Sequence, residues 1–199
     1  IRSLFISMQE LGKGARRPAG QPKAEFKKIA VVGAGFMGAS IAYVTAAAGI
    51  PVVLIDRDQE AADKGKGVSQ GLVTGAVGKG RMTKEEGEKL LSLITPTPDY
   101  ASLADADLVI EAVFEDRNVK KEVTEKIEAV LREDAIFASN TSTLPISGLA
   151  KNSKRPEQFI GIHFFSPVDK MMLVEVILGK ETGDRALATA LDYVAAIKK

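Results

Sequence analysis

The sequence predicts an α/β fold, a doubly wound and mostly parallel sheet with helices on both faces. Three observations predict it. Short runs rich in β-branched residues recur along the chain and alternate with longer stretches of helical pattern. The first of these runs leads directly into Gly33, Gly35 and Gly38, then into a helical stretch and a second apolar run, which is the layout of a βαβ unit. The composition, 45% hydrophobic and 27% charged over 199 residues, is that of a globular chain, long enough for one full domain plus an appendage or for one large α/β domain.

Taken in order, Ile1, Leu4, Phe5, Met8 and Leu11 recur at helical spacing and predict a short N-terminal linker helix with one apolar stripe. Gly12 and Gly14 weaken that helix, and Pro18, Gly20 and Pro22 mark a connector. Residues 1–25 are therefore expected to be linker helix and connector, with the stripe docked on a partner surface, and 26–199 the folded domain. Within the domain, strands are expected at 28–32 and 52–55, around a helix over 39–48 that Gly49 ends. A long helix over 58–77 follows. Thr83, ahead of Lys84, Glu85 and Glu86, reads as the N-cap of a helix to about Leu91. Further strands are expected at 92–95, 108–112, 135–139, 159–163 and 173–178. The remaining helices are expected at 119–131, 145–150 and 184–199. The chain starts at Ile1 and stops at Lys199 inside a helical pattern, so both ends are expected to continue into something longer.

Several function classes are disfavoured. A net charge of +1 offers no global field for nucleic acid or an anionic membrane. No apolar run approaches the ~20 residues of a membrane span. Cysteine is absent, which removes thiolate chemistry, disulfides and Cys-ligated zinc, and no metal site is expected. No secretory signal is visible, and a cytoplasmic location is expected. Gly75–Gly80 contains Gly78-Lys79 but no Ser or Thr after the Lys and no preceding strand, so it is not a P-loop. Asn140-Thr141-Ser142 fits a glycosylation acceptor by pattern alone.

The glycine triplet carries the cofactor expectation. Gly33 permits the tight turn out of the strand, Gly35 lets the backbone approach a pyrophosphate, and Gly38 lets the helix pack close to the strand. The N–H groups and positive dipole end of that helix, from Phe36 and Met37 onward, then face the phosphates. Asp56 ends the second strand, 23 positions after Gly33. A carboxylate there accepts hydrogen bonds from the adenosine ribose hydroxyls and repels a 2′-phosphate, which favours NAD over NADP. Arg57 beside it offers the opposite preference.

His163 is the only histidine and follows an apolar run, so it is expected at a strand's carboxyl end, where ligands of such sheets sit. By itself it is equally readable as a structural histidine. The segments Gly161-Ile162-His163-Phe164-Phe165-Ser166-Pro167-Val168 and Leu173-Val174-Glu175-Val176 resemble the signature of the 3-hydroxyacyl-CoA dehydrogenases. In that family a Glu follows the His by twelve positions and forms a dyad with it, as Glu175 follows His163 here. A catalytic-site Ser precedes the His by 21 positions, which falls on Ser142 within Ala138-Ser139-Asn140-Thr141-Ser142. Glu111-Ala112-Val113-Phe114-Glu115, with Lys120, resembles the family's landmark near the nicotinamide. The resemblance spans roughly residues 26–199. It implies NAD-dependent oxidation of (3S)-3-hydroxyacyl-CoA to 3-ketoacyl-CoA in fatty-acid β-oxidation. His163 would be general base, Glu175 its orienting partner, and Ser142 a hydrogen-bond donor to the reacting oxygen. It also implies that Glu115, Lys120 and Asn140 lie at the cofactor, and that Lys64, Lys66, Lys79 and Arg81 flank the CoA phosphates.

Arg2-Ser3-Leu4-Phe5-Ile6-Ser7, followed by Lys13-Gly14-Ala15, resembles the connector upstream of the dehydrogenase part in bacterial multifunctional fatty-acid oxidation proteins. Phe165-Ser166-Pro167 leans the same way, since monofunctional relatives tend to carry Asn at the middle position. Met172 departs from the Pro usual there. The resemblance implies an enoyl-CoA hydratase domain upstream, a thiolase as a further partner, and a helical domain downstream of Lys199 that supplies another catalytic Asn and part of the acyl-CoA cleft. This piece alone is expected to bind NAD and turn over poorly. The alternatives are a dinucleotide-binding module without catalysis, or another NAD-dependent hydroxyacid dehydrogenase.

Overall fold

The computed structural model of the chain describes residues 14–199. Seven strands form one sheet: β1 (Ile29–Val32), β2 (Val52–Ile55), β3 (Ile94–Thr97), β4 (Leu108–Glu111), β5 (Ile136–Ser139), β6 (Phe159–Phe164) and β7 (Val174–Leu178). Their order across the sheet is β3-β2-β1-β4-β5-β6-β7. All neighbours pair parallel except β6 and β7, which are antiparallel. The chain runs outward from β1 to β3 and then crosses back to β4, so the order reverses between β1 and β4. That reversal opens a crevice beyond the strands' carboxyl ends.

The central strands are covered on both faces, which is why they read as continuous apolar runs. Alternate residues serve the two layers: Ile29 and Val31 join one core, Ala30 and Val32 the other. The first core takes Ile41 and Val44 of helix α1 (Phe36–Ala47), Val73 of α2 (Gln59–Gly78), Leu90 of α3 (Lys84–Ser92) and Tyr193 of α6 (Asp184–Ala196). The second takes Ile127 of α4 (Arg117–Glu128) and Ile146 and Leu149 of α5 (Ile146–Leu149). This is the doubly wound, Rossmann-type arrangement expected from the sequence.

Local signals start the helices on one side of the sheet. The Asp58 side chain accepts the Ala61 N–H, and Thr83 and Glu86 form a reciprocal capping box. Two glycines inside helices are there for close packing. A Cβ on Gly65 would lie 2.6 Å from the Ala34 Cβ, where α2 crosses the turn after β1, and one on Gly87 would lie 2.5 Å from the Val73 Cγ1, where α3 crosses α2.

Some boundaries differ from expectation. β3 lies two residues later than 92–95, because α3 runs through Ser92. α4 starts at Arg117 rather than 119, because Asp116 accepts the N–H groups of Asn118 and Val119. It ends at Glu128, and α6 ends at Ala196. Short 3-10 turns at Tyr100–Leu103, Ala150–Asn152 and Pro156–Gln158 were not expected.

The linker helix expected over 1–11 lies outside the described residues. The described part of the connector is fastened to α6. Arg17 donates from Nε to Asp192 Oδ1 (2.8 Å) and from Nη2 to Asp192 Oδ2 (3.0 Å), and the Ala24 N–H donates to the same Oδ2 (2.8 Å). Beside it, the buried Tyr193 hydroxyl pairs with Thr45 Oγ1 (2.7 Å), and Phe26 packs edge-on against the Tyr193 ring. Among the described residues, no helix is long and apolar enough to cross a membrane.

Candidate functional site

The residues singled out in the sequence gather mostly along the carboxyl edge of the sheet. At β1 the three glycines have three different reasons. Gly33 has φ +98°, and a Cβ there would meet the Ala112 carbonyl oxygen at 2.7 Å. A Cβ on Gly38 would lie 1.7 Å from the Gly33 oxygen. Around Gly35, among the described residues, there is nothing within 4 Å of where a Cβ would stand. Its missing side chain therefore serves no protein contact and leaves space for a ligand. Gly35 is also the N-cap of α1, with no side-chain cap and no acid in the first turn. The first-turn N–H groups of Phe36, Met37 and Gly38 thus face that space without a side-chain partner. This cradle fits a dinucleotide pyrophosphate.

Asp56 directly follows β2 and ties the cradle down. Its Oδ2 accepts the Ala34 N–H and its Oδ1 the Arg57 N–H, each at 2.7 Å. Each oxygen keeps a further lone pair for a ribose hydroxyl. Arg57 points into solvent, 84% exposed, and pairs with Asp58 at 3.1 Å. Phe36 and Phe114 are exposed at the ends of the turns after β1 and β4.

At the other end of the edge, the antiparallel pairing of β6 with β7 sets His163 directly opposite Glu175. The twelve-residue interval in the sequence is therefore a cross-strand pair. His163 Nδ1 and Glu175 Oε2 are 2.9 Å apart. An ionised carboxylate only accepts, so in the neutral ring Nδ1 carries the proton and Nε2 presents a lone pair. The imidazole is 16% exposed and packs against Phe165, ring centres 4.6 Å apart. One residue on, the Phe164 N–H donates to Asn140 Oδ1 (2.8 Å), which ties β6 to the loop after β5.

Between these two ends runs a network of charge. Glu111, at the end of β4, and Lys120, on α4, are each about 1% exposed and pair at 2.7 Å. Glu111 also accepts the Ser139 hydroxyl (2.7 Å) and the Val113 N–H (2.8 Å). Lys120 Nζ lies 3.3 Å from Glu115 Oε2. The other oxygen of Glu115 accepts the Thr141 hydroxyl (2.5 Å), the N–H groups of Ser142 (3.0 Å) and Thr143 (3.1 Å), and the Thr143 hydroxyl (3.2 Å). Burial alone would raise the Glu115 carboxyl. The Thr141 hydroxyl, the two N–H groups and the Lys120 charge overcome it and hold the carboxyl at about 2. Ser142 is exposed, and its hydroxyl takes part in none of these bonds.

The structure thus places Lys120 beneath the site and Glu115 under the 141–143 loop. Thr143 and Gly65 carry no expectation from the sequence, and Glu111, Ser139 and Thr141 stand there only inside motifs, without a role of their own. One signal was available: Glu111 is the lone acid ending an otherwise apolar strand. The four basic residues are not brought to one place. Lys64 and Lys79 are fifteen positions apart on α2 and its C-cap, about 22 Å along a helix. Lys66 is half-buried, whereas Lys64, Lys79 and Arg81 are exposed. A cavity of about 200 Å³ under the connector, lined by Phe26, Asp107 and Arg132 among others, lies at the strands' amino ends, away from all of these.

Residues 28–199 match the family described as 3-hydroxyacyl-CoA dehydrogenase, NAD binding domain. The fold superposes on the (S)-3-hydroxybutyryl-CoA dehydrogenase of Ralstonia eutropha with a TM-score of 0.86 and 34% identity, covering 88% of this chain and 62% of that one. The 3-hydroxybutyryl-CoA dehydrogenase of Escherichia coli K12 gives 0.85 and 34%, covering 88% and 37%. The dehydrogenase part of multifunctional enzyme 1 of C. elegans gives 0.81 and 30%, covering 90% and 41%. This chain spans less than two thirds of the length of each.

Proposed function

The chain belongs to the 3-hydroxyacyl-CoA dehydrogenase family through an NAD-binding domain, and from that premise we propose that it supplies the cofactor and proton-transfer half of an NAD-dependent (3S)-3-hydroxyacyl-CoA dehydrogenase of fatty-acid β-oxidation. The observation that carries this reading is the His163–Glu175 pair, 2.9 Å apart with the ring's outer nitrogen left as a base.

The glycine cradle would hold NAD, which would supply the acceptor for the substrate's hydride. The protein's own part is to take the hydroxyl proton at His163 Nε2, as the C–H bond breaks and the carbonyl forms. Glu175 holds the tautomer and stabilises the imidazolium that results. Ser142 hydrogen-bonds the reacting oxygen. Asp56 selects NAD by accepting the ribose hydroxyls, and the cradle N–H groups take the pyrophosphate. Lys79 and Arg81 at the carboxyl end of α2, and Lys64 and Lys66 earlier on it, attract the CoA phosphates as separated surface charges and not as one pocket. The domain is 26–199, behind a connector. The longer protein joins it to a helical domain and a hydratase domain in the cytoplasm, with a thiolase as partner.

The test compares NADH production from 3-hydroxybutyryl-CoA by this chain and by the longer protein. The chain is expected to bind NADH yet run near background, because without the rest of the cleft the substrate is not held for attack. Activity of the chain within about tenfold of the longer protein, ~1.4 kcal/mol in barrier, would overturn that account of the cleft. Normal turnover by His163→Ala in the longer protein would overturn the dyad.

A further inference from the structure

We propose that Lys199 is a positioning residue for the His163–Glu175 pair: its ammonium clamps the turn at 167–171 and so keeps β7 in the register that sets Glu175 opposite His163. The bearing of the clamp on turnover rests on the dehydrogenase reading given above; its bearing on the pair does not.

The turn lies between the two strands that carry the pair. The Pro167 carbonyl accepts the N–H groups of Lys170 (3.0 Å) and Met171 (2.9 Å), which closes one helical turn. Carbonyls at the far end of such a turn have no N–H of their own to meet. Lys199 Nζ donates to two of them, Val168 O and Met171 O, each at 2.5 Å. A cation at the carboxyl end of a helical turn has the favourable sign. Burial lowers the pKa of this ammonium, and the carboxylate of Asp169, within the same turn, opposes that shift. On its other side the turn is plugged by Val168, 1% exposed, which joins Tyr193 and Ile197 in the first core. The turn is thus bound to the end of α6 twice, once by an apolar side chain and once by a charge.

The backbone of α6 ends in a way that aims Lys199 at this turn. The Lys198 N–H donates to Ala195 O (3.0 Å) and the Lys199 N–H to Val194 O (3.1 Å), the paired bonds of a Schellman ending. That motif puts Lys198 at φ +59°, and among the described residues it is the only non-glycine with a positive φ. A residue with a side chain holds such a conformation only where its surroundings dictate it. The clamp matters most for Glu175. β7 is an edge strand whose ladder bonds run to β6 alone. The connection over 165–173 is long, and a long connection does not dictate a register as a two-residue hairpin does. Lys199 fastens that connection four positions before Glu175. On the β6 side Phe165, which leads into the turn, packs on the His163 ring. Both members of the pair therefore stand next to backbone that the ammonium holds.

The experiment uses the fact that His163 is the only histidine, so the imidazole 15N signals of this chain belong to it alone. With the ring neutral, the wild type is expected mainly as the Nδ1–H tautomer, because Glu175 accepts that proton. In Lys199→Met the ratio of Nδ1–H to Nε2–H tautomer should fall at least about fivefold, while β1 and β2 amides keep their exchange rates. Lys199→Gln keeps a donor for one carbonyl and should lower the ratio by a smaller factor. An unchanged ratio in Lys199→Met overturns the clamp; should that variant fail to fold, an unchanged ratio in Lys199→Gln overturns it equally. Lys198→Gly relieves the positive φ and leaves the ammonium in place, so its ratio should match the wild type. A fall there as large as in Lys199→Met would put the effect in the helix end and not in the ammonium. In the longer protein, kcat of Lys199→Met should fall at least about fivefold while NADH affinity stays within about twofold. If the tautomer ratio falls and kcat does not, the clamp stands and the dehydrogenase reading of the pair fails.

Discussion

At the β1–β2 end of the carboxyl edge the binding surface is backbone. Gly33, Gly35 and Gly38 contribute by lacking side chains, and the one acid, Asp56, spends two hydrogen bonds on N–H groups of the same turns. At the β4–β7 end the surface is side-chain charge: Glu111, Lys120, Glu115, His163 and Glu175, each held by another. The two ends have different weaknesses. A backbone cradle fails when an atom is added to it. A charge network fails when an atom is removed, because the partner left behind is buried and unpaired.

The largest expected effect is His163→Ala in the longer protein. Loss of a positioned general base should lower turnover by about 10²–10⁴-fold, with NADH binding to this chain retained, as titration by fluorescence would read. A parallel loss of NADH affinity would mean that the two ends are one site after all.

Lys120→Ala comes next. It strands Glu111 at about 1% exposure, and should cost roughly 3–5 kcal/mol of stability, measured by chemical denaturation. Stability within about 1 kcal/mol of wild type would show that water or a shifted side chain replaces the ammonium.

The cradle gives a smaller and more selective effect. Gly35→Ala meets no atom of the described residues, so its Tm should match the wild type, while NADH binding weakens by at least about tenfold, ~1.4 kcal/mol. Gly38→Ala drives a Cβ into the Gly33 oxygen and should lose both stability and binding. If the two variants behave alike, the open space at Gly35 is not where the pyrophosphate lies. Asp56→Ala should narrow the preference for NADH over NADPH, read by titrating both.

The smallest effect is a pH dependence. The Glu115 carboxyl sits at about 2 against an ordinary 4.5. A depressed carboxyl stabilises the fold fully above its unfolded value and loses that contribution as pH falls through its folded value. The stability gap between wild type and Glu115→Gln should therefore be constant above about pH 4.5 and shrink toward pH 2. A gap that does not change with acid would place the stabilisation in packing.

The same contrast explains what was legible in the sequence. The cradle was readable because glycines at fixed spacing after an apolar strand have few other uses. The dyad was readable only through resemblance to a family. Twelve residues is a spacing without local periodicity, and it becomes contact only once β6 and β7 pair in one register. Lys120 is expected at the cofactor through the resemblance alone; its burial and its pairs with Glu111 and Glu115 were not legible. It lies in a helix that also carries Lys121 and Lys126, and nothing local distinguishes the one lysine that turns inward. Gly65 carries no signal of its own in the sequence, since its reason is Ala34, more than thirty positions earlier.

The fork between Arg17 and Asp192 joins residues 175 positions apart. The described chain is thereby clasped near its two ends, and neither end can fray without releasing the other. Closing so long a loop adds only a slowly growing entropic cost once the intervening sheet is folded. The connector and α6 should then open as one cooperative unit. Amides around Ala24 and along α6 should share one exchange free energy, and Arg17→Ala should lower both together.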